Sequence, residues 1–226
     1  MPLWLARSSF TRPLLPGKSK AQRMPSESCY KLDLHVHASE RSGCAVSSEE
    51  DQIRSAIAAG LHGMAFTDHF TLVGSDHLAE LNRRYAPFRI YTGVEVTANG
   101  EDFLVLGLPD PALQRMDWNY IALVDYVRRM GGIIILAHPF RFASTVHADV
   151  QCRPPDGVEL ASCNTPAARE GDIRALAARF GLALLSNSDA HQASKVGRYY
   201  NEFASLPADD AALVVLLKQQ RGLPGL

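Results

Sequence analysis

The chain is poor in the residues that staple a fold from outside its core. It has four cysteines in 226 residues, Cys29, Cys44, Cys152 and Cys163, and no two of them stand at CxxC spacing. That scatter argues against a cysteine-type zinc site or a disulfide framework. With no secretory signal in view, it reads as reduced thiols in a cytoplasmic protein. Cys44 lies close to a histidine pair, but as a small residue in a polar stretch it is read as part of a loop. Long apolar runs are missing too: residues 132–137 and 211–217 are among the longest and fall far short of a bilayer span. Nor is there an excess of either charge. Lys and Arg number 23 against 24 Asp and Glu, a formal net charge of −1. A general nucleic-acid binder carries a strong basic surplus, so no nucleic-acid partner is expected from composition. The chain is nonetheless 46% hydrophobic, ample for the core of one α/β domain.

Residues 1–28 have a different texture. They hold Arg7, Arg12, Lys18, Lys20 and Arg23, several prolines and serines, and no acid before Glu27. The apolar stretch is too short for a signal peptide. The reading is a disordered leader, with an organellar targeting peptide as the weaker alternative. Met24 is a possible true start just ahead of the first strand, so a chain beginning there is expected to fold. Residues 29–226 form the single predicted domain.

From residue 30 onward, strand and helix patterns alternate. Strands are predicted at 31–36, 63–67, 89–96, 133–137, 158–160, 182–186 and 199–204. A hairpin partner at 103–107 follows the Asn99-Gly100 turn. Helices are predicted from the Ser47–Glu50 capping-box spacing through to Gly60, then at 76–85, 117–130, 166–180 and 209–219. Such repeated alternation means a mostly parallel sheet, and this many units favour closure into a barrel.

What is abundant sits just after the apolar runs. His35-Val-His37, Asp68-His69, Glu95, His138-Pro139 and Asp189-Ala-His191 follow successive predicted strands. In an alternating barrel those strand ends converge on one mouth. Buried imidazoles and carboxylates need partners, and a metal cluster supplies them. Alternation along a strand brings His35 and His37 to one side. A lone HxH is weak evidence; four further clusters in barrel order are not. An imidazole and carboxylate set without thiolates suits catalytic zinc, manganese or iron.

The segments DLHVHAS, FTDHF, TGVEV, LAHPF and SNSDAH, in that order, resemble the successive motifs of the polymerase and histidinol phosphatase (PHP) superfamily, from residue 31 to about 203. The resemblance implies an α/β fold, a distorted (β/α)7 barrel, holding two or three divalent metals (zinc, manganese or iron). It implies hydrolysis of phosphate esters by a metal-activated hydroxide at the mouth. By the same resemblance, His35, His37, Glu95 and Asp189 bind one metal. Glu95 bridges to a second held by His138, and His69 and His191 serve a third. Asp68 is a ligand or a group that orients one. The chain departs from the pattern in two places. No further histidine stands between Glu95 and His138, so either Glu101 or Asp102 substitutes, or the second metal is weakly held or absent. The loop after HxH offers Glu40 to the third metal.

Arg141 and Lys195 follow ligand motifs and are the candidate phosphate-binding cations, by guanidinium fork and point charge respectively. Lys195 is equally describable as a rim charge; Arg141, which directly follows a ligand strand, is the stronger candidate of the two. His62 precedes a strand and is expected at the opposite end, in a structural role. His77 and His147 lie in loops beyond ligand strands, in reach of substrate or at the surface. Asn164 either lines the mouth or caps the helix after it. Arg83-Arg84 and Arg128-Arg129 read as solvated helix faces.

The expected partner is a small phosphorylated substrate, with no membrane, and the sequence leaves oligomeric state open. Two rival readings stand: an amidohydrolase-like metal enzyme, and a metal-binding barrel without catalysis. A nuclease is an alternative within the phosphoesterase class.

Overall fold

The computed structural model describes residues 29–222. The leader and the alternative start at Met24 lie outside them. Eight strands form one sheet in the order β7-β6-β5-β4-β3-β2-β1-β8. They are β1 (Tyr30–Val36), β2 (Gly63–Phe66), β3 (Arg89–Ala98), β4 (Glu101–Leu106), β5 (Ile133–Leu136), β6 (Gly157–Ala161), β7 (Ala183–Ser186) and β8 (Asn201–Phe203). Helices α1 (Glu49–Ala58), α2 (Ser75–Arg84), α3 (Tyr120–Met130), α4 (Glu170–Phe180) and α5 (Asp210–Gln219) complete the domain. Among the described residues no helix is long and apolar enough to cross a membrane.

The expected alternation and barrel are present, with two antiparallel insertions. β1, β2 and β3 pair in parallel, as do β5, β6 and β7. Between the two groups β4 runs antiparallel to both neighbours, joined to β3 by the turn at Asn99 and Gly100, both at positive φ. β8 lies antiparallel on the outer edge of β1. The barrel is nearly closed, by two devices. A parallel bridge joins Val36 to Ala190 beyond the end of β7. The side-chain amide of Asn201 on β8 receives the Ser186 N–H and donates to the Ser186 carbonyl, each at 2.9 Å. It stands in for a strand residue where the β7–β8 ladder is missing.

Three apolar clusters follow from side-chain alternation. Ala65, Leu104, Leu106, Ile133, Ile135 and Leu185 fill the barrel interior, and Leu213, Val214 and Leu217 of α5 join the same cluster. Opposite parity puts Val94, Val105, Ile134, Leu136 and Val158 against α3 and α4. Met64, Phe66 and Ile90 pack against α1 and α2. α5 approaches closely because residue 107 is glycine: φ is +72°, and a Cβ there would stand 2.4 Å from Val214 Cγ2. A register shift in β1 between Asp33 and Val36 lets Leu32 and Leu34 join the interior cluster while His35 and His37, one parity over, also turn inward.

Local boundaries differ in small ways. The cap of α1 is Ser48, whose hydroxyl accepts the Asp51 N–H, one residue beyond the expected Ser47–Glu50 pair. α3 begins only at Tyr120, because Asn119 caps it. The segment before α4 is a 3-10 turn, Ala167–Arg169.

Candidate metal centre

The parallel strands all end at one face, where their following residues meet. His35 and His37 leave β1, Asp68 and His69 follow β2, Glu95 lies on β3, His138 follows β5, and Asp189 and His191 follow β7. His35, His37, Glu95, His138 and Asp189 are all buried.

His35 Nε2 lies 3.0 Å from His37 Nε2, 3.4 Å from Glu95 Oε2 and 3.3 Å from Asp189 Oδ1. His37 Nε2 is 3.3 Å from each of the same two oxygens. Four ligands at about 2.0–2.2 Å from a tetrahedral ion stand about 3.3–3.6 Å apart. The four atoms therefore sit close to the corners such an ion requires. Glu95 Oε2 is buried and has no hydrogen bond of ordinary geometry, although imidazole nitrogens surround it. That is the arrangement of ligands aimed at a common centre, not of donors aimed at an acceptor. The residues fit a divalent cation.

The other oxygen of Glu95 faces elsewhere. Oε1 is 3.0 Å from His138 Nε2, so the one carboxylate spans two groups of nitrogens. His69 Nδ1 stands 3.2 Å from Glu95 Oε2, and His191 Nδ1 3.5 Å from Asp189 Oδ1. Three overlapping sets have metal-binding spacing: His35–His37–Asp189, His35–Glu95–His138 and His37–His69–His191.

A second layer holds these side chains. Glu159, buried on β6, accepts from His35 Nδ1 at 2.9 Å and from the His138 backbone N–H at 2.9 Å. Asn187 donates to it at 2.8 Å. Ser42 lies 3.3 Å from His37 Nδ1 and donates to Asp68 at 2.7 Å. Asp68 also accepts the Ala38 N–H and the Arg41 guanidinium, at 2.8 and 2.6 Å. Its oxygens are thus consumed by the loop after β1, which makes Asp68 an organiser of His37 through Ser42. Asp33 accepts N–H groups from Ser188 and Gly197 and so pins the loop carrying Asp189 and His191. Burial pushes its carboxyl up to about 6 against those bonds. His138 and Asp189 both hold positive φ, strain confined to the mouth along with that of Phe70 and Phe140.

Protonation follows the crowding. Burial opposes a charge on His35, but Asp189, Glu159 and Glu95 outweigh it and hold its pKa well above the imidazole norm. His37 and His138 are raised by the same contest. Burial would raise Glu95 and Asp189, yet the neighbouring imidazoles hold both below the usual carboxylate range. His191 is lowered, by burial and then by His37.

The remaining sequence expectations divide. Glu40 is not brought to the cluster: it is exposed, and its carboxylate accepts the Glu49 N–H at the start of α1. Asn164 lines the mouth, donating to Asp189 Oδ2 at 2.6 Å, and caps nothing. Arg141 is exposed beside His138, its guanidinium 4.8 Å from the Phe142 ring. Lys195 is half-buried in a 3-10 turn (Ala193–Lys195) shortly after His191. His62 accepts the Lys31 N–H at the far end of the barrel. His77 meets Glu49 at 2.7 Å, away from the ligands. His147 lines a small cleft with Glu101, Asp102 and His138. Glu159, Ser42, Arg41 and Asn187 were not singled out from the sequence. For Glu159 there was one signal, an acid in the middle of a short apolar strand.

Residues 171–221 match the family model described as PHP-associated. Over 71 residues, 31% of this chain, it is 35% identical to a 5'-3' exoribonuclease of Haemophilus influenzae, and the match spans 25% of that protein. A Bifidobacterium adolescentis protein, assigned by inference as a metal-dependent phosphoesterase, superposes with TM-score 0.64 at 16% identity, over 85% of this chain and 97% of its own. A two-domain Bacteroides vulgatus protein, containing a PHP-like metal-dependent phosphoesterase domain so assigned by inference, also gives 0.64, at 15% identity over 89% and 68%. An amidohydrolase from Chromobacterium violaceum gives 0.59, at 18% identity over 74% and 90%. At these identities the structures share a fold, and that fold is the distorted barrel that the motifs implied. The chain is thus similar to the PHP-associated family over its carboxyl end and to PHP-like proteins in fold, with the ligand motifs in order around the barrel mouth.

Proposed function

We propose that this protein is a metal-dependent hydrolase of phosphate esters, acting at the barrel mouth. The observation that carries the reading is the near-tetrahedral set of His35, His37, Glu95 and Asp189, with the unbonded Glu95 Oε2 as one of its corners. Divalent ions held there supply Lewis acidity, lowering the pKa of water and neutralising charge that develops on a phosphoryl group. The chain's own residues do the rest. Glu159, Ser42 and Asp68 fix the imidazoles before any ion arrives, so little reorganisation is left to the reaction. Arg141 and Lys195 flank the cluster and form no ion pair among the described residues, which leaves both free to grip an anionic substrate.

The ligand set supports catalysis over a purely structural ion, because it is histidine- and carboxylate-rich and opens to solvent through the half-buried His69 and His191. The amidohydrolase likeness is one of fold. The stretch shared with an exoribonuclease favours a nucleotidyl phosphodiester among the possible esters.

The test is a substrate panel on protein loaded separately with Mn²⁺, Zn²⁺ and Fe²⁺, with bound metal quantified. Phosphomonoesters, oligoribonucleotides, and amide or lactone substrates form its three arms. Turnover in either phosphate arm, abolished by His35→Ala, is expected. Turnover confined to the third arm would overturn the proposal, and metal-loaded protein inactive on all three would revive the non-catalytic reading.

A further inference from the structure

β4 runs antiparallel to both its neighbours in the barrel wall, so its beginning, not its end, lies at the mouth. Its first residues therefore reach the height of the metal ligands. Period-two alternation then separates Glu101 from Asp102. Asp102 shares a face with Leu104 and Leu106, which fill the barrel interior. Glu101 shares the outer face with Phe103 and Val105, and its carboxylate accepts the His147 N–H at 2.7 Å. The Asp102 carbonyl receives the Ala137 N–H at 2.9 Å, which locks its position against the residue preceding His138.

The geometry points to Asp102 as a ligand of a second divalent ion, completing a set with Glu95 Oε1 and His138 Nε2. Asp102 Oδ2 stands 3.9 Å from His138 Nε2. Two ligands at about 2.1 Å from one ion can be as far as about 4.2 Å apart, so a single ion can touch both. Asp189 Oδ2 is also 3.9 Å from that nitrogen, offering a fourth ligand from the carboxylate already used at the first position. The other Asp102 oxygen faces Thr97 Oγ1 at 2.5 Å, so the side chain is braced with one oxygen left for the ion.

The two positions differ in chemistry. The first has two imidazoles and two carboxylates; the second has one imidazole among carboxylates. Oxygen-rich sets suit manganese over zinc. The second position therefore takes Mn²⁺ in preference to zinc more readily than the first. Glu95, shared between them, couples the two ions.

The inference rests on the cluster being a metal centre, but its test needs no substrate, so an inactive protein would sink the phosphoesterase proposal and leave this one standing. Mn²⁺ is titrated calorimetrically into the metal-free full-length chain, the Asp102→Asn variant and the Glu101→Gln variant, with bound Mn²⁺ counted and spin spectra recorded. Asparagine keeps the side chain's size, and matched melting curves show that each variant folds. The wild type and Glu101→Gln are expected to bind a second equivalent and to show the exchange-coupled spectrum of a carboxylate-bridged pair. Asp102→Asn is expected to weaken that equivalent more than tenfold and to lose the coupled signal, with the first equivalent unchanged. An Asp102→Asn titration matching the wild type would overturn the assignment, as would a wild type that binds only one ion.

Discussion

His35 Nδ1 and the carboxylate of Glu159 stand 2.9 Å apart in the barrel interior, both fully buried. With Nδ1 held as a donor, Nε2 is left with its lone pair toward Glu95 and Asp189, the tautomer a metal ligand needs. The same carboxylate takes the N–H of His138, whose backbone is held at φ 24°. One acid on β6 thus fixes an imidazole from β1 and the backbone after β5. Glu159→Gln is expected to lower metal affinity by about 10–100-fold, as loss of an outer-shell partner does. Competition against a chelator measures it; unchanged affinity would mean that His35 is oriented by packing alone.

The proton balance of the cluster gives a second expectation. His35, His37 and His138 have pKa values above the ordinary imidazole value because the ligand carboxylates outweigh burial. A raised pKa means that protons compete with a cation for these nitrogens in the metal-free protein. Affinity should therefore rise as pH rises through those folded-state values, and fall below them. Calorimetry in buffers of different ionisation enthalpy should register net proton release on metal uptake. Binding heats independent of the buffer would contradict the assignment.

Barrel closure makes a prediction about stability. The Asn201 amide exchanges two hydrogen bonds with the Ser186 backbone and donates a third to Asn187 Oδ1 at 2.9 Å. Asn187 in turn contacts Glu159 and accepts the Leu34 N–H. Asn201→Ala leaves strand groups unpaired where β7 meets β8, at a cost of about 1–3 kcal/mol. Urea unfolding should show a lower midpoint with an unchanged slope. Asn201→Asp, which keeps an acceptor and loses the donor, should recover only part of the difference.

Much of this was legible in the sequence because two signals coincided: a buried strand and a metal-binding cluster directly after it. Strand positions, the Asn99-Gly100 hairpin, and the convergence of His35, His37, Glu95 and Asp189 follow from that coincidence. What stayed hidden depends on neighbours distant in the chain. Glu159 lies in a strand too short to reveal which parity faces inward, until β5 and β7 fix it. The choice of Asp102 over Glu101 needs the strand's direction as well as its existence. Ser42 and Arg41 sit in an irregular turn shaped by Asp68, some 26 residues further along. Glu40 stands close to His37 in sequence but not in space. The N-terminus of α1 offers its carboxylate an unpaired N–H nearer to hand.

The phosphate-gripping role of Arg141 carries the last prediction. It follows His138 by three residues, is exposed at the mouth, and rests 4.8 Å from the Phe142 ring. If it binds the phosphoryl group of substrate, Arg141→Ala should leave metal content unchanged and lower kcat/KM for phosphate esters. The loss of one charge-assisted contact is worth about 1.5–3 kcal/mol, roughly ten- to hundredfold. Arg141→Lys should restore part of it, since lysine keeps the charge and loses the bidentate fork. Inhibition by inorganic phosphate should weaken in parallel, because phosphate meets the same guanidinium. Wild-type kinetics together with wild-type phosphate inhibition in Arg141→Ala would return this side chain to the solvated rim. The anion would then be held by Lys195, half-buried beyond His191, or by the metals without help.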